Sequence, residues 1–344
     1  MTQILNDTWD FIVLFLNENV PLIVGSVKAV VIAVGIMSVV PALVWLERRL
    51  MGRFQVRLGP NRVGPLGLGQ PIADTIKLLF KESIIQSSAD KFLFHLAPAV
   101  VVITAIVGFS VIPFGEPFEV LGQRIELWGA NVNSGILFVF AISGMGIYGM
   151  VLAGLASNNK YSLMGGLRSS AQMISYELTL GLSALSIIVL TGSLNLVDMV
   201  KAQETIPFIL IQPLAFILFF IAGIAETNRA PFDLPEAEQE LVAGFHTEYT
   251  GMKFAMFFMG EYINMVTMSA LVTLLFLGGW NAYGLPVWPI VAFAFKVGFL
   301  LCVFIWLRST FPRIRYDRLM TFGWKVLLPL CLLNLLITGT LKVI

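Results

Sequence analysis

The segment ETNRAPFDLPEAEQELVAGFHTEYTG, residues 226–251 and called the acidic segment below, gathers carboxylates in a chain with few charges. It holds six of the chain's 21 acids against one arginine, while only 12% of all residues are charged. Like charges this close shift one another's pKa values, so protons are shared and respond to nearby charge. The pattern predicts proton-exchanging acids, and for any single member the alternative is a solvated polar loop. The acids are Glu226, Asp233, Glu236, Glu238, Glu240 and Glu248.

A short helix is predicted within the acidic segment. Asp233 is placed to cap it, with Pro235 and Glu236 in the first turn, where a carboxylate suits the helix dipole. Glu236 and Glu240 then share one face, while Glu238 points away.

Four further charges fall inside long apolar stretches: Lys28, Glu177, Glu261 and Lys296. A charge at membrane depth costs several kcal/mol, so such acids commonly mark a proton or ion route. We expect Glu177 and Glu261 to receive protons from the acidic segment. For the two lysines, two interpretations stay open: structural snorkelling or pairing, or a part in the same route.

The composition is that of an integral membrane protein, with 57% hydrophobic residues and a mean hydropathy of +0.85. Apolar runs this long without period-2 alternation must be helices, because lipid cannot satisfy backbone hydrogen bonds. The sequence therefore predicts an all-α membrane protein forming a single membrane domain, 1–344. Its eight predicted spans are 21–45, 93–113, 135–156, 171–191, 207–225, 253–277, 286–307 and 326–342.

The distribution of Lys and Arg predicts the orientation. Seventeen of the 22 fall in or at the edge of four loops, and three fall on the opposite side. By the positive-inside rule these four loops are cytoplasmic and both termini lie outside the cytoplasm, in the periplasm of a bacterium. The predicted cytoplasmic loops are 46–92, 157–170, 226–252 and 308–325.

The first of these loops contains a second predicted element. GPNRVGPLGLGQP is turning backbone, and from Pro71 onward apolar residues recur at helical spacing opposite Asp74. This predicts an amphipathic helix on the membrane surface with its polar face towards water or a partner. The arginines of the first and last loops partly reflect positive-inside bias, and we expect the rest to line a polar mouth. They are Arg48, Arg49, Arg53, Arg57, Arg62, Arg308, Arg313, Arg315 and Arg318.

Several classes of site do not fit this composition. Cys302 and Cys331 are too few for a four-cysteine cluster and lie in apolar runs, so we interpret them as small core residues. His95 and His246 are too few for a two-haem cytochrome, and a net charge of +1 does not indicate a nucleic-acid partner. No metal site is predicted.

Four stretches resemble one family. They are LERRLMGRFQVRLGPNRVGPLGLGQPIADTIKLLFKE (46–82), AQMISYEL (171–178), the acidic segment and FPRIRYDRLMTFGWKVLLPL (311–330). Together they are similar to the membrane H-subunit family of bacterial NADH:quinone oxidoreductase, respiratory complex I, whose mitochondrial relative is NADH dehydrogenase subunit 1. Their order and spread make the resemblance full length.

The resemblance implies a specific role. Such a subunit joins the membrane arm to the peripheral arm and forms the membrane part of the quinone cavity, and quinone reduction is coupled to proton translocation. Flavin, iron–sulfur clusters and the redox chemistry belong to adjoining subunits, so no catalytic residue, flavin, haem or cluster is expected in this chain. The implied partners are those peripheral subunits, neighbouring small and antiporter-like membrane subunits, lipids and a quinone, with ubiquinone favoured.

The resemblance also assigns residues. Arg48, Arg57, Asp74 and Arg308 would border the quinone path. The six acids of the acidic segment would respond to quinone reduction, and Glu177 and Glu261 would continue the proton route into the membrane. The implied location is the bacterial inner membrane, or the mitochondrial inner membrane for an organellar protein.

Three other interpretations make different predictions. A self-contained proton or cation transporter should show inverted repeats, and we find no internal repeat. An anchor subunit of a membrane-bound hydrogenase complex would share the fold without needing a quinone. A purely structural scaffold is disfavoured by the acids at 177 and 261.

Overall fold

The computed structural model describes residues 2–120, 123–130, 132–234, 241–284 and 286–343, with the backbone alone for residues 2–24, 118–120, 123–125 and 343. Twelve α-helices are formed by these residues. They are α1 Thr2–Phe54, α2 Gln70–Phe80, α3 Lys91–Ser110, α4 Gly135–Ala156, α5 Lys160–Thr191, α6 Leu196–Lys201, α7 Phe208–Ile211, α8 Pro213–Glu226, α9 Met252–Phe276, α10 Pro289–Thr310, α11 Tyr316–Phe322 and α12 Leu328–Val343.

The expectation of an all-α integral membrane protein is confirmed. Among the described residues, seven helical stretches are long and apolar enough to cross a membrane, and α8 is a shorter apolar helix. The predicted amphipathic helix is also present, as α2. One small addition was not predicted: Phe118–Val120 pairs antiparallel with Gln123–Ile125. The predicted short helix of the acidic segment lies outside the described residues, which omit 235–240.

Several helices extend beyond the apolar runs that predicted them. α1 continues to Phe54, α5 begins at Lys160 behind an Asn159 cap, and α11 begins at Tyr316. The predicted loops 46–92, 157–170 and 308–325 are therefore partly helical. The reason is that Leu, Met, Glu and Arg are good helix formers, so a helix need not end where its apolar stretch ends.

The fifth apolar run, predicted as one span over 207–225, is broken into α7 and α8. The break falls at Gln212, directly before Pro213. A proline lacks the N–H that a continuous helix needs and disfavours helical geometry in the residue before it. The Gln212 side chain instead bridges to α12, where its Nε2 donates to Thr338 Oγ1 over 2.8 Å.

The last apolar run is also irregular. Between α11 and α12 the residues Gly323–Leu327 form a π-helical segment. The O–H of Tyr176 on α5 donates to the carbonyl of Leu319 in α11 over 3.0 Å, which holds the helix just before this segment against the core.

Helix α9 lies at the centre of the molecule. In an apolar stretch of 18 residues, 83% of its residues are buried, whereas the figure for α1 is 17%. Glycines allow α3 to pack closely against both α4 and α9. A β-carbon on Gly149 or Gly260 would lie 2.4 or 2.5 Å from a methyl group of Val101. Helix α3 therefore fits between α4 and α9 only because both positions lack a side chain. The outer faces of α1 and α12 are left for lipid or other chains.

Candidate functional site

A cavity of ≈440 Å³ lies between α1, α2 and α9. Its wall is mainly apolar, and its polar lining includes the side chains of Arg48, Asp74 and Tyr262. Pockets of this kind suit an apolar ligand whose polar end is held by a few groups. The remaining lining residues are Met37, Val40, Pro41, Val44, Pro71, Thr75, Leu78, Met252, Phe254, Ala255, Phe258 and Met259.

Helix α2 closes one side of this cavity through an ion pair with α1. Arg48 Nη1 lies 2.5 Å from Asp74 Oδ2, and Gln70 Nε2 donates to Asp74 Oδ1 over 3.2 Å. Partial burial raises the pKa of Asp74, but the hydrogen bond and charge of Arg48 outweigh this and hold the pKa below its usual value. Asp74 is therefore an anion that fastens α2 to α1 at the cavity wall.

The opposite face of α2 is apolar and exposed, with Ile72, Ile76, Leu79 and Phe80 at its surface. The sequence predicted that the polar face of this helix points towards water or a partner, and the structure shows where its acid points. Asp74 turns towards the cavity and α1, while the apolar residues face outward, where a membrane would cover them.

A charge network adjoins the cavity and shares Tyr262 with its wall. The network is defined by Glu47, Arg229, Glu261, Tyr262 and Arg308. Glu47 is only 3% exposed and accepts a hydrogen bond from the Tyr262 O–H over 2.5 Å. Its other oxygen accepts from Arg308 Nη1 and lies 3.7 Å from Arg229 Nη1. One carboxylate thus joins α1 to α9, to α10 and to the chain after α8.

Arg229 is the central cation of this network. Its guanidinium lies over the ring of Tyr262, 4.3 Å from the centroid, and is also within reach of the charge of buried Glu261. Burial alone would lower the pKa of Arg229, but Tyr262 and the negative charges of Glu47 and Glu261 raise it above its usual value. Arg229 therefore stays charged and ties Glu261 to the cavity wall.

A further pair of acids is formed by Glu226 and Glu177. Glu226, at the end of α8, is 3% exposed, and neither carboxylate oxygen has a hydrogen-bond partner among the described residues. It is close enough to Glu177 on α5 for their charges to interact. Glu177 lies against α4, where a β-carbon on Gly144 would be 2.9 Å from its Oε1. Two acids thus share one largely buried site.

Comparison with known proteins identifies the family. The family model described as NADH dehydrogenase matches residues 27–339. The chain is 51% identical over 324 residues to the second H subunit of NADH-quinone oxidoreductase from Syntrophobacter fumaroxidans, which covers 94% of this chain and 97% of that protein. The H subunit of NADH-quinone oxidoreductase from Protochlamydia amoebophila is 53% identical over 297 residues, covering 86% and 91%.

The chain belongs to the family of NADH-quinone oxidoreductase H subunits. The second H subunit from Rhizobium meliloti is a further relative, 50% identical over 311 residues that cover 90% of this chain and 94% of that one. The resemblance drawn from four sequence stretches is confirmed by these matches. Because they cover nearly the whole chain, the family assignment applies to both the cavity and the acid pair.

In this H subunit the other acids of the acidic segment lie apart. Asp233 Oδ2 lies 3.2 Å from Arg313 Nη2, and Glu248 Oε1 accepts a hydrogen bond from Asn159 Nδ2 over 2.7 Å. Among the described residues, Asp233 and Glu248 are therefore each bound to a different partner and do not contact one another through these groups. The remaining three members, Glu236, Glu238 and Glu240, lie outside the described residues.

Of the four residues expected at the quinone path, Arg48 and Asp74 line the cavity. Arg308 is not among the lining residues and forms an ion pair with Glu47. Arg57 is exposed and donates from Nε to Gln55 Oε1 over 2.7 Å, so the structure does not bring it to this cavity. Its role stays a prediction.

Sequence reasoning missed Glu47 and Tyr262. Glu47 is the second residue after the first predicted span and so falls in a predicted cytoplasmic loop. A usable signal was an acid at the very end of an apolar run, in front of two arginines. Tyr262 follows Glu261 within an apolar helix and carried no charge to mark it.

No metal centre is indicated in the described part of the chain, where no group of three or more His, Cys, Asp or Glu side chains is arranged to hold an ion. Both cysteines are free thiols: Cys331 is buried and Cys302 half-buried. Their placement agrees with their interpretation as small core residues.

Proposed function

We propose that this chain is the subunit of a proton-pumping NADH:quinone oxidoreductase that forms the membrane part of the quinone cavity and couples quinone reduction to proton translocation. Its curated relatives are named as subunits of NADH-quinone oxidoreductase. The chain acts as part of that enzyme, and the redox cofactors belong to other subunits.

The cavity between α1, α2 and α9 is the observation that carries this proposal. Its apolar wall suits an isoprenoid tail, and Arg48, Asp74 and Tyr262 supply polar groups along the path of the head group. The outward-facing apolar side of α2 would lie in the membrane, so a quinone would enter from the lipid beside this helix.

The buried acids support the coupling part. Quinone reduction leaves negative charge or a demand for protons in the cavity, and a charge change there acts on Arg229 and through it on Glu261. The acidic segment would take up protons and exchange them with Glu226 and Glu177. From Glu177 and Glu261 the change would pass to antiporter-like subunits.

The location and partners follow from the same proposal. The chain would reside in a bacterial inner membrane, with both termini periplasmic, or in a mitochondrial inner membrane if organellar. Peripheral quinone-site and iron–sulfur subunits would dock on the cytoplasmic loops, and membrane subunits and lipids would cover the outer faces. Ubiquinone is the favoured quinone. The relatives' names do not favour a hydrogenase anchor or a stand-alone transporter.

A cavity-filling substitution tests the proposal. Ala255 lines the cavity, whereas Ala42 on α1 is exposed on the outside. In the assembled enzyme we expect Ala255→Phe to raise the apparent KM for quinone by about tenfold, equivalent to ~1.4 kcal/mol of binding. Oxidation of NADH by a soluble artificial acceptor should be unchanged, and Ala42→Phe should behave as wild type. An assembled Ala255→Phe enzyme with a normal KM would refute quinone passage through this cavity.

A further inference from the structure

Lys296 on α10 lies inside an apolar run, yet its ammonium is fully hydrogen-bonded. Nζ donates to the main-chain carbonyls of Leu277, Gly279 and Asn281 over 2.7, 3.0 and 2.7 Å. We call these three oxygens the carbonyl cage. They belong to the loop that directly follows α9, at the end of that helix away from the cavity. An ammonium has three donors, so the cage satisfies all of them.

The loop is built to point its carbonyls inward. Gly278 and Gly279 both have positive φ, 70° and 53°, which glycine adopts without strain. A β-carbon on Gly278 would lie 1.9 Å from Tyr283 Oη, and one on Gly279 would lie 2.7 Å from Val200 Cγ2. Only glycines fit at these two positions of the loop that carries the cage.

Gln203 fixes the same loop from the opposite side. Its Nε2 donates to the carbonyl of Leu274 in the last turn of α9 over 2.7 Å, and its Oε1 accepts from the Gly278 N–H over 3.0 Å. Tyr283 donates to the Gln203 carbonyl over 3.1 Å and places its ring 5.1 Å from Lys296 Nζ. The cage is therefore held in place by contacts that do not involve the lysine.

The charge of Lys296 is balanced by dipoles. No carboxylate among the described residues forms an ion pair with it. Carbonyls at the C-terminal end of a helix carry partial negative charge, and the ring face of Tyr283 adds to it. A lysine that carries protons must lose its charge and exchange partners, whereas this one is held on all three donors.

We propose that Lys296 is a hydrogen-bonded tether that fixes the end of α9 to α10 and thereby positions Glu261 and Tyr262. These residues lie about 22 Å along α9 from its last turn, at 1.5 Å per residue. The same two helices are joined near the cavity by Glu47, which binds both Tyr262 and Arg308. The tether itself follows from the cage, and only its effect on coupling rests on the proposed function.

Replacement by arginine separates a tether from a proton carrier. Arginine is not deprotonated in proteins, so it can replace a fixed charge but not a carrier. In the assembled enzyme we expect Lys296→Arg to keep NADH:quinone turnover and the number of protons pumped per electron. We expect Lys296→Met to lower the thermal stability of the resting complex. Proton pumping should fall as well, because Glu261 is no longer held in position. An arginine variant that assembles and turns over but pumps no protons would overturn the proposal.

A second variant covers the case in which arginine does not fit the cage. Lys296→Ala leaves room for n-propylammonium, which replaces the missing atoms, and we expect this amine to restore the thermal stability of the resting complex without NADH. Lys28→Met is the control for stability alone, because Lys28 has no hydrogen bond or ion pair among the described residues, and this complex should unfold at the wild-type temperature. Lys296→Ala as stable as the control would overturn the tether. If Lys296→Ala is less stable than the control but pumps protons normally, only the positioning of Glu261 is overturned. Neither result bears on the quinone cavity.

Discussion

Replacing Glu47 by glutamine is the most direct test of the charge network. The carboxylate accepts from Tyr262 and Arg308 and lies 3.7 Å from Arg229 Nη1. Glutamine keeps the shape but removes the negative charge, and its N–H₂ group must replace either the oxygen that accepts from Tyr262 or the one that faces the arginines. Since Arg229 is only 6% exposed and its Nε and Nη2 have no hydrogen-bond partner in the described chain, water cannot replace the lost charge.

The expected cost follows from the burial of the partners. Removing one member of a buried ion pair typically costs about 3–5 kcal/mol, because the remaining charge is left uncompensated. The side chain of Arg308 is 31% exposed, so water already screens its ion pair with Glu47 and the loss of this pair costs less. We therefore expect Glu47→Gln to destabilise the protein more than Arg308→Met, which leaves Glu47 still paired with Arg229.

Thermal unfolding of the purified complex, followed together with NADH:quinone turnover, measures this order. Glu82→Gln is the matched control, because Glu82 is exposed and has no side-chain partner in the described chain. It should unfold at the wild-type temperature. A Glu47→Gln complex that unfolds with the control, or above Arg308→Met, would show that the network does not depend on the central carboxylate.

Three further predictions concern single sites. Glu177→Gln should leave assembly on a native gel intact but abolish both quinone turnover and proton pumping in sealed vesicles; normal activity would make Glu177 a structural acid. Gly165→Ala should lower thermal stability, because its β-carbon would lie 2.6 Å from a backbone nitrogen of the 3₁₀ turn Gly244–His246, whereas Gly181→Ala, with nothing within 4 Å, should not. Asp74→Asn should cost stability at pH 7. The pKa of this acid is depressed in the folded state, so its contribution is present above about pH 4 and is lost as the pH falls through the folded-state pKa; an equal difference at pH 7 and pH 3 would contradict this.

Long apolar runs made the helices predictable, because lipid leaves the backbone no other option. The surface helix and its Asp74 were predictable for a related reason: amphipathic spacing is local. Glu47 could be singled out as an acid at the end of an apolar run, but its burial was not predictable, since its partners Tyr262 and Arg308 are 215 and 261 residues away along the chain. The cage of Lys296 was equally hidden, because its ligands are main-chain carbonyls that any residue type could supply.

The two groups of buried acids differ in how their charge is balanced. The network that adjoins the cavity contains two acids, Glu47 and Glu261, and two arginines, so its charges cancel when all are ionised. Adding a proton to either acid leaves an arginine uncompensated, which is costly in a buried site.

Glu226 and Glu177 have no such constraint. The oxygens of Glu226 have no hydrogen-bond partner among the described residues, and the like charge of Glu177 acts on it. This pair can change its proton count without leaving a buried cation unpaired. The contrast favours a division of work in which the network holds the cavity wall and transmits charge, while the acid pair exchanges protons. The proton uptake measured on quinone reduction should then fall in Glu226→Gln. Arg229→Met should instead lower the unfolding temperature of the complex.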